Sequence, residues 1–258
     1  MASNAQSKPH QASLKADSDE WTVRVDLAAC YRLVYAYGIS DLIYNHISAR
    51  VTHNEFLINP YGLLYNEITA SSLIKIDIDG NEITPSPTGY KVNPAGFIIH
   101  GAVHKARPDV GCVLHTHSMA GVAVSTLKEG LLPLTQFSMR FHDRVAYHEY
   151  EGPALDPDEQ QRLVADLGDK NVMILKNHGL LVAYPTIAEA FNAIYWLEKA
   201  CRVQLDAMAA APELSVPDRA VAEKTAKLYD RDTRRPYGIL EWPAMLRYLD
   251  SLDESYKD

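Results

Sequence analysis

The sequence predicts an α/β fold: one domain in which a mostly antiparallel or mixed sheet is covered by helices. Three observations lead there. Segments with helical periodicity alternate with short strands along the chain. Two strand pairs close on turn signals, Asp79-Gly80 inside "IKIDIDGNEIT" and Asn177-His178-Gly179 between "NVMILKN" and "LLVAY". No internal repeat, low-complexity insert or interior Pro-, Gly- or Ser-rich linker divides the 258 residues, a length that one domain with a sizeable core can fill.

The elements follow in order. Residues 1–20 read as a disordered tail without the apolar core of a signal peptide. In "WTVRVDLAACYRLVYAYG" Leu27, Tyr31, Val34 and Tyr35 fall at helical spacing, and Gly38 can end the helix. "HISARV" and "EFLIN" are short strands around Thr52–Asn54. "PYGLLYNEITASSL" is a long ordered connection with a single turn near Thr69–Leu73, and the "IKIDIDGNEIT" hairpin follows. Residues 95–107 are helical and stop at Pro108-Asp109. "GCVLHTH" is a strand, and "SMAGVAVSTLKEG" a helix with Ser118 as its N-cap.

Beyond these, "RVAYHEY" is a strand and 157–168 a helix. "TIAEAFNAIYWLEKACRVQLDAMAA" is the longest helix, with a broad apolar stripe through Ile187, Phe191, Ile194 and Leu197. The expected domain spans 21–213. Residues 214–258 form a helical extension whose Trp242, Met245, Leu246 and Leu249 must dock on the domain or on a neighbouring subunit.

Composition excludes several classes. A hydrophobic fraction of 47% with 22% charged residues is ordinary for a globular protein, and a net charge of −8 argues against a nucleic-acid binder. No apolar run reaches the roughly 18 residues of a membrane span. Cys30, Cys112 and Cys201, an odd number at wide spacing in apolar segments, read as buried thiols in a reducing cytoplasm.

The candidate chemistry lies in the histidines. In a strand, residues i and i+2 face the same side, so His115 and His117 project together and can each give a nitrogen to one ion at about 2.0–2.1 Å. A bare H-x-H is common at strand ends. His178 strengthens the metal reading, because it sits where an apolar strand breaks at a glycine and a side chain can enter a pocket at the sheet's edge. Three histidines leave coordination positions open for water or substrate.

"NHIS", "INPYG", the H-x-H at 115–117 and "NHG" at 177–179 occur in the order and spacing of the class II aldolase/adducin family. From about Val23 to Ala211 the chain resembles that family, and "DLAACYRLVYAYGISDLIYNHISARV" is especially similar to the adducin head domain and its bacterial relatives. The resemblance implies a three-layer α/β/α fold and a homotetramer with active sites at subunit interfaces. It also implies a metal site of His115, His117 and His178, holding zinc first, with manganese or iron as alternatives.

Departures from the sugar-phosphate aldolases limit what else carries over. Their catalytic Glu corresponds to Gly96, and the two phosphate-holding serines before it correspond to Pro94 and Ala95. Their phosphate loop is replaced by Asn59-Pro60-Tyr61-Gly62, and a proton-donating tyrosine of the fuculose-phosphate enzyme falls on Phe137. A glycine at 96 is expected to open space beside the metal. His46 replaces an asparagine and is the first candidate for proton transfer, and Tyr61 is a donor or an aromatic wall. His142 and His148 read as exposed, or as reaching a neighbour's site. His100 and His104, at i, i+4, match a helical zinc pair only without its glutamate, and Glu67 is expected to bind backbone groups.

These observations favour a metal-dependent lyase of the aldolase or decarboxylase type on an unphosphorylated hydroxy- or oxo-carboxylic acid. The alternatives are an adducin-like scaffold without catalysis and a non-haem iron oxygenase. The absence of a long basic tail after the domain favours the enzyme. A small-molecule substrate is expected, with neither nucleic acid nor membrane as partner.

Overall fold

In the computed structural model, which describes residues 18–152, 158–211 and 213–258, eight strands form one sheet. In chain order they are β1 (His46–Arg50), β2 (Glu55–Ile58), β3 (Ile74–Asp77), β4 (Glu82–Thr84), β5 (Cys112–Thr116), β6 (Val145–His148), β7 (Val172–Leu175) and β8 (Gly179–Tyr184). Their spatial order is β4-β3-β2-β1-β5-β8-β7-β6, and every neighbouring pair is antiparallel except β6 with β7. Short connections fix the β1–β2, β3–β4 and β7–β8 pairs, while the long connection 59–73 joins β2 to β3. The central pairings of β5 with β1 and β8 join segments far apart in sequence, and they bring the histidines together.

The helices are α1 (Ser18–Ala36), α2 (Pro94–Ala106), α3 (Met119–Ser125), α4 (Gln136–Met139), α5 (Glu159–Leu167), α6 (Ile187–Ala210), α7 (Arg219–Leu228) and α8 (Trp242–Asp250). Alternation along the strands sorts them into two layers. Leu114 and Val182 pack with Leu33 of α1, Val124 of α3 and Ile194 of α6. Val113 and Leu181, one residue away, pack with Ile99 and Val103 of α2 and Leu163 of α5. The result is the α/β/α sandwich with a mixed sheet that the sequence led us to expect.

Several boundaries differ. Helix α1 takes in residues 18–20, which were read as tail, because Glu20 is buried in ion pairs with Arg24 (2.8 Å) and Lys75 (2.9 Å). Residues 1–17, the rest of that tail, and 153–157, where the helix now beginning at Glu159 was expected to start, lie outside the described residues. Helix α7 was not singled out from sequence; its buried residues are only Ala222 and Ala226, too small to stand out as an apolar stripe. Ser118 precedes α3 but does not cap it with its side chain. Its hydroxyl donates to Glu198 on α6 (2.5 Å), and that carboxylate accepts the Gly121 N–H (3.1 Å) in its place.

The C-terminal segment docks on its own chain. Trp242 and Leu249 of α8 join the core around α1, and the Trp242 Nε1–H donates to Asp26 (3.0 Å). All three cysteines are free and buried. Among the described residues no helix is long and apolar enough to cross a membrane.

Candidate metal centre

His115 lies on β5 opposite Leu181 of β8 and is fully buried. Its Nδ1 is 2.9 Å from the Leu180 carbonyl oxygen. A carbonyl only accepts, so the proton sits on Nδ1 and the Nε2 lone pair is left free. His117 follows just past the strand end. Its Nδ1 is 3.0 Å from Asp41 Oδ2, which fixes the same tautomer. The turn that brings in His178 needs both of its neighbours. Asn177 adopts a left-handed backbone (φ +55°) that asparagine tolerates well, and a Cβ on Gly179 would meet the Thr116 carbonyl oxygen at 2.4 Å.

The three Nε2 atoms converge. His117 Nε2 lies 3.0 Å from His115 Nε2 and 2.9 Å from His178 Nε2. Two of these are free lone pairs aimed at a common point, an arrangement that a shared cation would satisfy. A proton is a poor candidate: burial, with further contributions from the neighbouring histidines, holds His115 well below its usual range and His178 at about 4. Nitrogens bound to one ion at about 2.0–2.1 Å lie within about 4 Å of one another. His117 Nε2 meets this with both partners, and all three ligand atoms lie within 4.8 Å of one another. His115, His117 and His178 therefore fit a divalent metal with open positions.

Gly96 does not open space beside this cluster, contrary to expectation. A Cβ there would meet the His46 ring, with Cδ2 at 2.7 Å and Cγ at 2.9 Å, so an imidazole already fills the volume. His46 is buried and stacks on His115 with ring centroids 5.5 Å apart. Behind it runs a second set of histidines. His46 Nδ1 is 3.4 Å from His100 Nε2, and Ser48 Oγ bridges His100 Nδ1 (2.6 Å) and His104 Nε2 (2.8 Å). Burial holds His46 and His100 well below their usual range and His104 at about 3. His100 and His104 thus pack α2 onto β1 and stand outside the metal cluster.

The other candidates separate. The ring of Tyr61 faces Tyr44 at 6.2 Å, and among the described residues it has no contact with the three converging histidines. His148 is not exposed: it is buried at the end of β6, with Nδ1 2.7 Å from Asp166, because the parallel β6–β7 pairing is roofed by α5. His142 is partly buried beside Asp143 (3.5 Å). Phe137 packs on Trp196 at 4.8 Å. Glu67 accepts the Leu64 N–H (2.7 Å), as expected. Sequence reasoning missed Asp41, which lies far from the H-x-H in sequence with no motif to connect them. It also missed Tyr150, whose ring is 6.4 Å from that of His178.

Residues 25–205 match the family model described as Class II Aldolase and Adducin N-terminal domain. A solved aldolase II superfamily protein from Pseudomonas syringae is 46% identical, with a TM-score of 0.88 and 100% of both chains covered. The L-fuculose 1-phosphate aldolase from Glaciozyma antarctica is 32% identical, with a TM-score of 0.83 over 98% of this chain and 97% of its own. Mouse alpha-adducin is 41% identical over 93% of this chain, which spans 34% of that protein. This chain is a member of the class II aldolase and adducin N-terminal domain family.

Proposed function

We propose that the protein is a metal-dependent carbon–carbon lyase acting on an unphosphorylated hydroxy- or oxo-carboxylic acid, aromatic ones included. The observation that carries this reading is the convergence of Nε2 atoms from His115, His117 and His178. A divalent ion bound there, zinc first and manganese or iron as alternatives, would polarise a substrate oxygen and stabilise negative charge as the bond breaks. Asp41 and the Leu180 carbonyl hold two of the rings in the ligating tautomer. His46 occupies the volume of the family's glutamate and takes over its proton transfer. Burial keeps it neutral, and a substrate anion arriving beside it raises its proton affinity. Tyr61 remains a candidate donor.

The substrate claim rests on α2. Pro94 has no N–H, Ala95 has no hydroxyl, and the Ala95 N–H is already bound to Asn93 Oδ1 (3.1 Å), so this helix start offers little to a phosphate. A panel assay settles it by comparing fuculose 1-phosphate, the substrate named for the Glaciozyma antarctica relative, with hydroxy and oxo acids. Cleavage of an acid and not of the sugar phosphate is expected; brisk cleavage of the sugar phosphate would overturn the substrate class. The likeness to alpha-adducin favours a second reading, a scaffold without catalysis, which predicts no turnover of any acid. An iron oxygenase would require dioxygen for turnover.

We further read the assembly as a cytoplasmic homotetramer. Free thiols favour that compartment, and Leu42 and Met119, 67% and 77% exposed, leave apolar side chains beside Asp41 and Ser118 for a neighbour to cover. Sedimentation as a monomer at micromolar concentration would contradict the assembly.

A further inference from the structure

A second cavity, of about 610 Å³, opens at the end of the sheet opposite the histidines, where β6 and β7 begin and β8 ends at Tyr184. The loop after α7 forms one wall through Tyr229 and Tyr237. Arg140, just after α4, reaches it while only 8% exposed. Its guanidinium lies 4.5 Å from the ring centre of Tyr229 and 5.5 Å from those of Tyr237, Trp196 and Phe141. Its one hydrogen bond among the described residues is from Nη2 to Asn192 Oδ1 (3.1 Å).

The other cations of the cavity are committed. Arg144 pairs with Asp230 (2.5 Å), Arg231 with Glu189 (3.4 Å), and Lys170 donates to the Val145 carbonyl (2.9 Å). Arg140 has no ion pair among the described residues, and the carboxylate of Glu241, which also acts on it, is bound to Arg235 (2.6 Å). A buried cation without a counter-ion is unfavourable, and aromatic faces offset only part of the lost hydration. Four of the five guanidinium N–H groups remain for a ligand. Tyr184, which Arg140 influences, keeps its hydroxyl proton to about 12 because burial disfavours the phenolate, so it serves as a second donor.

We propose that this cavity binds a small organic oxyanion, its carboxylate or phosphate seated on Arg140 and its body lying against Tyr184, Tyr229 and Tyr237. The volume exceeds that of an inorganic ion and falls in the range of small-molecule sites. Asp169 and Asp232 also line the cavity and disfavour a polyanion, so the ligand carries one acidic group on a hydroxylated or ammonium-bearing body. This site is independent of the metal centre and of the proposed lyase activity.

The test is thermal unfolding at constant ionic strength with four separate probes: lactate, serine, glycerol 3-phosphate and ATP. It uses the wild type, Arg140→Met, Tyr184→Phe and, to remove chelation at the metal centre, His117→Ala. At roughly 100 times its dissociation constant, a monoacidic probe should raise the melting temperature by about 5 °C. That shift should persist in His117→Ala, shrink in Tyr184→Phe and vanish in Arg140→Met. Lactate and serine against glycerol 3-phosphate tells carboxylate from phosphate, and ATP should have no effect. Three results would overturn the proposal: no shift with any monoacidic probe, equal shifts in wild type and Tyr184→Phe, or a shift lost in His117→Ala. A change of oligomeric state in Arg140→Met without any probe effect would also do so, since a neighbouring copy's carboxylate would then fill the place. Should Arg140→Met fail to fold, Tyr184→Phe and the wild-type panel decide.

Discussion

Two sets of three histidines stand side by side in this molecule, and they differ in where their protons go. In the outer set, His115 and His117 give their Nδ1 protons to the Leu180 carbonyl and Asp41, which leaves two Nε2 lone pairs converging with the Nε2 atom of His178. In the inner set, His46 meets His100 directly and Ser48 links His100 to His104, so the nitrogens are strung along a line and do not converge on one point. His115 is as buried as the whole inner set, and burial lowers its proton affinity as it lowers theirs. Burial alone therefore does not mark a ligand. Convergence of unprotonated nitrogens does.

The largest expected effect concerns what the two sets share. His104 titrates at about 3 when folded and near 6.5 when unfolded. Between those values the unfolded chain binds a proton that the folded chain refuses. Stability is therefore complete above about pH 6.5 and falls as pH drops toward 3, by about 1.4 kcal/mol per pH unit from His104 alone. His46, His100 and His115 shift in the same direction and steepen the fall. Denaturant unfolding from pH 7.5 to 4.5 should record it, and flat stability over that range would contradict neutral buried imidazoles.

The next effect separates the sets by function. His46→Ala should lower turnover by about 10²–10⁴-fold, the usual contribution of a positioned proton-transfer group, with metal content unchanged. An unchanged rate would remove His46 from the chemistry. Ser48→Ala should cost about 1–3 kcal/mol of stability, because it takes a partner from two buried histidine nitrogens, again without loss of metal. A variant as stable as the wild type would show that the inner chain contributes nothing to the fold. Asp41→Asn keeps the shape but removes the charge, and should weaken metal affinity about 10–100-fold, measurable by competition with a chelator.

Much of the fold was legible because it follows local patterns. The alternation in "IKIDIDGNEIT" and the apolar stripe of "TIAEAFNAIYWLEKACRVQLDAMAA" read directly as β3–β4 and α6. The outer histidines were legible too, two by strand parity and one by the turn that Asn177 and Gly179 permit. What was not legible depends on pairings distant in sequence. Gly96 read as empty space because nothing near it in the chain says that His46 occupies that place. His148 read as exposed because burial comes from α5 folding over β6. Asp41 was silent because its role exists only once β5 places His117 within 3.0 Å of it.

Elemental analysis of purified protein, side by side for wild type, His117→Ala and His100→Gln, tests the distinction between the two sets most directly. The expected result is close to one equivalent of a first-row divalent metal in the wild type and in His100→Gln, with little or none in His117→Ala. Full occupancy in His117→Ala, or loss of the metal in His100→Gln, would contradict the assignment of the outer histidines as the metal centre.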